Sequence, residues 1–279
     1  MDAVFGTYTR EELDAQYDTS KQLAGGDVAP YFARFAAESA LARAAYAHDA
    51  DVRYGAHPRE TLDMFPARAP GAPLFMWVHG GYWRRLSKNE SSFVAPPIVE
   101  AGGAVAVVNY PLAPEASLDE IVAAVRRAFA FVRERATTYG ADPARTFVGG
   151  HSVGAQLAAA IAATYETRGL VTVSGLYDLE PLRHTHINTW IAMDAACALR
   201  NGPIGLPPRR PGPLVAAVGG KEQAEFHRQQ RDYIAAWRAW GGDAHQVDAP
   251  QHDHFSLPLE LAQARSPLAT AVRALLAAL

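Results

Sequence analysis

The stretch that decides the fold is TFVGGHSVGAQLAAAIAA, residues 146–163, because a strand pattern and a helix pattern meet in it. β-Branched and aromatic residues run up to Val148, and an alanine-rich segment with high helix propensity follows Gly154. Between them, residues 150–154 fill the pattern GxSxG, in which a serine sits on a strained turn from strand to helix. The stretch therefore predicts an accessible nucleophile at Ser152. The alternative is a tight turn with an idle serine.

Short apolar runs alternate with longer helical patterns on both sides of this turn. Apolar strands separated by helices are typical of a mainly parallel sheet that is covered by helices on both faces, so we predict an α/β fold. The predicted strands are 74–78, 104–108, 146–148, 170–173, 214–218 and 245–247, and the predicted helices are 118–139, 153–165, 225–240 and 267–279.

We expect one domain, with an N-terminal helical arm over residues 1–60 and the α/β core over 61–279. In the arm, a capped start near Thr9 and apolar residues at helical spacing over 31–46 predict helices. The core opens with a short extended run and a Pro/Gly turn at 70–73, which predicts a first hairpin.

A second informative stretch is LFMWVHGGYWRR, residues 74–85, where a buried strand runs directly into a glycine pair. Glycines after a strand let backbone N–H groups turn toward a substrate, where they can stabilise an oxyanion. This segment precedes the GxSxG turn in the order expected of an oxyanion loop. The neighbouring side chains Tyr82, Trp83 and His151 are candidates for the wall of a substrate pocket.

A serine hydroxyl of ordinary acidity is a poor nucleophile, so the pattern requires a histidine as base. His252 and His254 both lie in the loop between the last predicted strand and the C-terminal helix, where the base of such a fold is expected. We favour His254, which precedes Phe255, and keep His252 as the alternative.

An acid is also required, to hold the base in one tautomer, and it lies between serine and histidine in chain order. Glu222 stands just beyond the predicted strand 214–218, at the end where parallel sheets hold their catalytic groups. We therefore favour Glu222 as the acid. Asp178 and Glu225 remain the alternatives, and each could instead be a capping or surface carboxylate.

Composition excludes several other classes of protein. The 279 residues are 49% hydrophobic and 20% charged, which is the balance of a globular protein rather than a disordered or fibrous one. The net charge of -3 comes from scattered charges, so we expect no nucleic-acid partner. His184 with His186, and His252 with His254, could each supply two metal ligands, but no third ligand has a recognisable spacing, so we expect neither a metal nor an organic cofactor.

The cellular compartment of the protein is predicted from its apolar runs and its cysteine count. The first residues lack the basic start and apolar stretch of a signal peptide, and the longest apolar runs fall short of the roughly 20 residues that span a bilayer. A single cysteine, Cys197, suits a reducing compartment. We therefore expect a cytoplasmic protein that acts on a small molecule without membrane contact. A homodimer is compatible with the sequence.

With HGGYW, GHSVGA and HDHF in place, the chain resembles the α/β-hydrolase superfamily, and within it the kynurenine formamidase (arylformamidase) group and bacterial HGGxW esterases. The likeness extends to NYPLAP, SGLYDLEPL and GGKEQAEFHRQ, so it runs nearly from end to end. It implies an α/β-hydrolase fold. The family's site residues fall on the following positions: the nucleophile on Ser152, the acid on Glu222, the histidine on His254, and the oxyanion donors on the backbone of Gly81, Tyr82 and Val153.

The resemblance implies a serine hydrolase that cleaves a small aryl formamide or ester through an acyl-enzyme, with N-formylkynurenine as the favoured substrate. A promiscuous carboxylesterase acting on short esters is the second hypothesis. A noncatalytic binding protein with a hydrolase fold is the third, and it has no need of a nucleophile, a base and an acid together.

Overall fold

A computed structural model describes residues 2–278 and contains one mixed sheet. Within these residues the sheet has eight strands in the order β1-β2-β4-β3-β5-β6-β7-β8. The last six strands of this order, from β4 to β8, are parallel to one another, whereas β2 runs antiparallel to both β1 and β4. The strands are β1 Asp49–Arg53, β2 Thr61–Phe65, β3 Ala72–Val78, β4 Ala104–Val108, β5 Ala141–His151, β6 Leu170–Val173, β7 Leu214–Gly219 and β8 Ala244–Ala249.

Helices separate most of the parallel strands, as the sequence pattern predicts, and short 3-10 turns fill several connections. No helix among residues 2–278 is both long enough and apolar enough to cross a membrane. The helices are α1 Arg10–Tyr17, α2 Ala29–Ala45, α3 Ala95–Glu100, α4 Leu118–Glu134, α5 Val153–Ala162, α6 Asn188–Ile191, α7 Ala195–Asn201, α8 Ala224–Ala239 and α9 Pro267–Ala277.

Both faces of the sheet are buried, because successive side chains of a strand point to opposite faces. In β3, Leu74 and Met76 join one apolar cluster with residues of α1, α4, α5 and α8. Phe75 and Trp77 join a second cluster with residues of α2, α3 and α9. The prediction of a mainly parallel sheet with helices on both faces is confirmed.

Two predictions about the start of the chain are wrong. The run at 61–66 forms β2, but β2 pairs with β1 and β4 and not with β3, so the Pro/Gly turn at 70–73 connects strands that are not neighbours. The arm over 1–60 is also not wholly helical, because residues 49–53 form the edge strand β1. This strand reads DADVR and is mostly exposed, so it carries no apolar pattern that could have predicted it.

The helices of the arm lie on opposite faces of the sheet. Leu13 and Tyr17 of α1 belong to the first apolar cluster, whereas Phe35 of α2 belongs to the second. The chain between these helices, residues 18–28, therefore crosses from one face to the other. It does so beside the carboxyl ends of the parallel strands, because its residues share a cavity with the loop that follows β3 and with the turn that follows β5.

Candidate active site

Ser152 lies on the sharp turn between β5 and α5, with backbone angles φ 57° and ψ −126°. A non-glycine residue with positive φ is strained, and such strain persists only where the surrounding structure holds it. Here the Ser152 amide donates to the Val173 carbonyl oxygen at 2.8 Å, which ties the turn to the end of β6. The residue is almost fully buried but lines the cavity described below.

The two glycines of the turn are required by close backbone contacts. A Cβ at Gly150 would stand 2.2 Å from the Gly154 carbonyl oxygen, and a Cβ at Gly154 would stand 2.2 Å from the Val78 carbonyl oxygen. Because α5 packs this closely on β3 and β5, any larger residue at either position would push the helix away. This packing is the physical reason for the GxSxG spacing.

His254 and Glu222 form a buried hydrogen-bonded pair. His254 Nδ1 lies 2.7 Å from Glu222 Oε2, and their side chains are 3% and 0% exposed. A carboxylate can only accept, so Nδ1 carries the proton and Nε2 of the neutral ring is left as the basic nitrogen. The other oxygen, Glu222 Oε1, accepts from Ser174 Oγ at 2.6 Å and from the Gly219 amide at 2.7 Å. These bonds fix the carboxylate on both sides.

The alternative acids are engaged elsewhere. Asp178 Oδ2 lies 3.3 Å from Arg228 Nη2, and Asp178 Oδ1 accepts from the backbone of Glu180. Glu225 Oε2 accepts from the Tyr17 hydroxyl at 2.8 Å and pairs with Arg228. Among the three candidates it is therefore Glu222 that the structure brings to a histidine of the last loop.

The remaining histidine candidates pair with other carboxylates. His252 Nε2 lies 2.8 Å from Glu260 Oε1. His184 Nε2 lies 3.3 Å from Glu180, and His186 Nδ1 lies 2.8 Å from Asp14. Across the described part of the chain, no group of three or more His, Cys, Asp or Glu side chains is placed to hold a metal ion.

The loop after β3 has an unusual backbone, with three consecutive positive φ values at Gly81 (105°), Tyr82 (49°) and Trp83 (58°). A Cβ at Gly81 would lie 2.3 Å from the Arg85 carbonyl oxygen, so the turn requires glycine there. Within residues 2–278, the amides of Gly81 and Tyr82 have no acceptor. The amide of Val153, the first residue of α5, likewise has no partner within its helix. These are the three predicted oxyanion donors.

The two aromatic residues of this loop have different surroundings. Tyr82 lines the cavity, and its hydroxyl donates to the Tyr17 carbonyl oxygen at 2.7 Å. Trp83 is 0% exposed and does not line the cavity, and its Nε1 donates to Gln156 Oε1 of α5 at 3.1 Å. The structure thus corrects the placement of Trp83 in the substrate pocket, because the indole is buried in the core. There it anchors the loop to the helix that follows Ser152.

His151 is a buried neutral neighbour of the candidate base. Its Nε2 donates to the His254 carbonyl oxygen at 2.9 Å, and the centroids of the two rings are 4.7 Å apart. Burial, reinforced by the adjacent His254 ring, holds the pKa of His151 well below its usual value. His151 therefore holds the backbone of His254 without adding a positive charge to the site.

Ser152 and His254 both line a cavity of about 300 Å³. This volume is at the lower end of the range for small-molecule sites. Two exposed arginines, Arg84 and Arg85, and the acidic residue Asp18 line it as well. Its aromatic lining consists of Tyr17, Phe32, Phe35, Tyr82, Trp190 and Phe255.

Several residues of the site were not predicted from the sequence. Ser174, which holds the acid, follows β6 and has a positive φ of 51°. Its position at the carboxyl end of a parallel strand was the available signal. Phe32 and Asp18 come from the arm, and no local pattern indicates that the arm reaches the cavity.

The fold and the strained serine turn are those of α/β hydrolases. Residues 75–202 match a protein family that is described as having the α/β hydrolase fold. More narrowly, the chain belongs to the kynurenine formamidase family. It is 31% identical over 268 residues to kynurenine formamidase of Danio rerio, which spans 89% of this chain and 90% of that relative. It is 34% identical over 223 residues to kynurenine formamidase of Salmo salar, with 74% of each chain covered.

Solved structures give the same fold. A crystal structure from Silicibacter sp. TM1040, provisionally assigned as a thioesterase, has a TM-score of 0.83 at 29% identity and covers 93% of this chain and 98% of that chain. An esterase from Pyrobaculum calidifontis has a TM-score of 0.71 at 17% identity, covering 93% and 96%, a likeness in fold alone. The predicted family resemblance is confirmed, and the chain is a hydrolase of formamidase or esterase type.

Proposed function

We propose that the protein hydrolyses a small aryl formamide through a formyl-enzyme on Ser152, with His254 as base and Glu222 as its orienting acid. The observation that carries the proposal is the buried 2.7 Å contact between His254 Nδ1 and Glu222, since His254 lines the same cavity as Ser152. A serine alone is a weak nucleophile, and this arrangement supplies both the base and the group that orients it.

In the first half of the reaction, Ser152 Oγ attacks the formyl carbon and its proton passes to His254 Nε2. The carbonyl oxygen becomes an oxyanion, for which the unpartnered amides of the Gly81 loop and the start of α5 are suitable donors. When this intermediate collapses, the C–N bond breaks and the His254 imidazolium protonates the departing arylamine. Glu222 stabilises the imidazolium while it exists.

In the second half, water attacks the formyl ester of Ser152 and gives its proton to His254. The collapse of the second intermediate breaks the bond to Ser152 Oγ, which takes the proton back from His254. The products are formate and the free arylamine, and the enzyme returns to its starting state. No oxidant, metal or organic cofactor is needed for this balance.

The substrate we favour is N-formylkynurenine, an aryl formamide that also carries an α-amino acid group. Kynurenine formamidases are similar to this chain over most of its length. The cavity lining supports the choice, because aromatic side chains suit an aryl ring and the arginines suit a carboxylate. Arg85 has no hydrogen-bond or ion-pair partner among residues 2–278, and Arg84 stacks over Trp190 at 5.0 Å. Both guanidinium groups therefore keep their N–H donors for a ligand.

The test compares N-formylkynurenine with 4-nitrophenyl acetate on the wild type and on Arg85→Gln. We expect a higher kcat/KM for N-formylkynurenine than for the ester. Arg85→Gln should raise the KM for N-formylkynurenine roughly 10- to 150-fold, since a hydrogen bond to a charged group contributes about 1.5 to 3 kcal/mol. The neutral ester should be unaffected. Arg10→Gln, an exposed arginine outside the cavity, is the matched control.

A promiscuous carboxylesterase is the second candidate, and it is favoured by the esterases that share this fold. It predicts that the neutral ester is the better substrate and that Arg85→Gln changes both substrates equally. Absence of turnover on both substrates, together with an unreactive Ser152, would favour a noncatalytic binding protein.

A further inference from the structure

The end of α1 and the segment that follows it, residues 17–28, are hydrogen-bonded to the loops that follow β3, β7 and β8. The loop after β3 is bound through the hydroxyl of Tyr82, which donates to the carbonyl oxygen of Tyr17 at the end of α1 (2.7 Å). The loop after β7 is bound through Gln223 Nε2, which donates to the Asp18 carbonyl oxygen at 2.7 Å. The arm is therefore hydrogen-bonded to the site as well as lining its cavity.

Gln22 is the residue of this segment that joins the acid loop to the base loop. Its Oε1 accepts from the backbone amide of His254 at 3.2 Å, and its Nε2 donates to Gln223 Oε1 at 3.0 Å. Gln223, next to Glu222 in the chain, passes the connection on to Asp18. Each amide uses its oxygen as acceptor and its nitrogen as donor, so the whole chain of bonds is satisfied with one orientation of the side chains.

The bond from Gln22 matters because the loop that carries His254 has no regular structure of its own. His254 lies between β8 and the short 3-10 turn at Pro258–Ala262. Its backbone amide has Gln22 as its acceptor, while its carbonyl oxygen accepts from His151. The neighbouring Asp253 accepts from the Tyr31 hydroxyl of α2 at 2.9 Å. The arm thus holds this loop at two consecutive residues.

We propose that Gln22 is a positioning residue, which holds the loop of His254 in register with the loop of Glu222. The proposal rests on the proposed serine-hydrolase function, since it concerns the geometry of that same base. Gln22 does not line the cavity, so it acts on the base and not on the substrate. A misplacement of about 1 Å at a catalytic group can cost about a hundredfold in rate.

The arm also supplies a matched control. Gln16 Oε1 accepts from the Glu225 backbone amide at 3.2 Å, the same kind of bond at the same length as that of Gln22. It joins α1 to the first turn of α8, and neither residue lies in the His254 loop or lines the cavity. A purely structural role of such bonds would make Gln16 and Gln22 equivalent.

The experiment measures kcat, KM and the rate of Ser152 labelling by a fluorophosphonate in Gln22→Leu, Gln22→Glu and Gln16→Leu, beside urea unfolding of each. We expect Gln22→Leu to lower kcat and the labelling rate about tenfold at an unchanged KM. Gln22→Glu keeps an oxygen acceptor for the His254 amide but loses the donor to Gln223 Oε1, so it should recover only part of that loss. Gln16→Leu should lose similar stability but retain wild-type kcat.

Two outcomes separate this role from the proposed function. If turnover depends on Ser152 but Gln22→Leu and Gln16→Leu have the same kcat, Gln22 has no positioning role and the proposed function stands. If Ser152→Ala keeps full turnover, the proposed function and the positioning role are both overturned.

Discussion

The last loop of the protein holds two histidines, only two residues apart, that each contact a carboxylate. They differ in which ring nitrogen makes that contact. His254 contacts Glu222 through Nδ1, with side chains 3% and 0% exposed. His252 contacts Glu260 through Nε2, with side chains 27% and 10% exposed, and its Nδ1 lies 3.3 Å from Ser256 Oγ. The first pair leaves one ring nitrogen as a base, whereas both nitrogens of His252 have partners.

The second oxygen of each carboxylate shows the same difference. Glu222 Oε1 is held by Ser174 and by the Gly219 amide, beside the nucleophile turn. Glu260 Oε2 accepts from the Leu268 amide at 3.1 Å, in the first turn of α9, where a carboxylate stabilises a helix. A histidine–carboxylate contact is therefore not enough to identify a catalytic pair. The catalytic pair is the one whose histidine keeps a free ring nitrogen and lines the cavity.

The largest expected effect is that of removing the base. His254→Ala should lower kcat about a million-fold, as loss of the histidine does in a well-studied serine hydrolase, because no group is left to take the serine proton. His252→Ala should keep most of the turnover. Steady-state kinetics on both variants measure the difference. The reverse ranking would assign the base to His252.

Replacing Glu222 should lower kcat much more than replacing Glu260, although the loss should be smaller than that caused by removing His254. Glu222→Gln keeps the shape but loses the charge, and we expect kcat to fall about 10⁴-fold, as in another triad. Glu222→Asp keeps the charge at a shorter reach and should fall between Gln and wild type. Glu260→Gln should preserve kcat and lower the free energy of unfolding by about 1 kcal/mol through the weakened helix start. A loss of turnover in Glu260→Gln but not in Glu222→Gln would show that Glu222 is not the catalytic acid.

A smaller effect is expected where the acid is held by a neutral partner. Ser174→Ala removes the 2.6 Å hydrogen bond to Glu222 Oε1 but leaves the Gly219 amide in place, so kcat should fall about tenfold. Ser92→Ala is the control, since Ser92 is equally buried but bonds to Lys88 and Arg43 instead. Equal kcat values in the two variants would show that Ser174 does not help to hold the acid.

His79 is a third buried histidine, and its ring contacts the Gly80 carbonyl oxygen rather than a carboxylate. Burial lowers its pKa to about 3, so the folded protein keeps it neutral while the unfolded chain binds a proton below about pH 6.5. The unfolded state then binds more protons, and the free energy of unfolding should fall by about 1.2 kcal/mol from this residue as the pH drops from 6 to 5. Urea unfolding of His79→Asn should show a slope smaller by that amount, and an unchanged slope would mean that His79 is protonated in the fold.

The parallel part of the sheet was predictable because its strands are buried on both faces and therefore read as continuous apolar runs. β4 was predicted at 104–108 and occupies those residues, and β5 extends the predicted 146–148 to Ala141–His151. β1 could not be predicted, because an exposed edge strand has no apolar pattern. The pairing of β2 with β4 is a long-range choice that a local turn does not reveal.

The candidate site was predictable to the extent that chain order and turn chemistry carry information. The GxSxG turn and the HGG loop lie where local steric rules place them, and Glu222 and His254 follow strand ends. Trp83 was misplaced because its indole bonds to Gln156, 73 positions away in the chain, and such a contact leaves no local signal. The contact between Gln22 and His254 joins residues 232 positions apart and leaves no local signal.

Reaction of the intact protein with a fluorophosphonate, followed by peptide mapping by mass spectrometry, tests whether Ser152 is the nucleophile. We expect one label per chain on Ser152, none on Ser152→Ala, slow labelling of His254→Ala and wild-type labelling of His252→Ala, each matched by the loss or retention of turnover. Full turnover in a protein whose Ser152 is unlabelled or replaced would show that Ser152 is not the nucleophile.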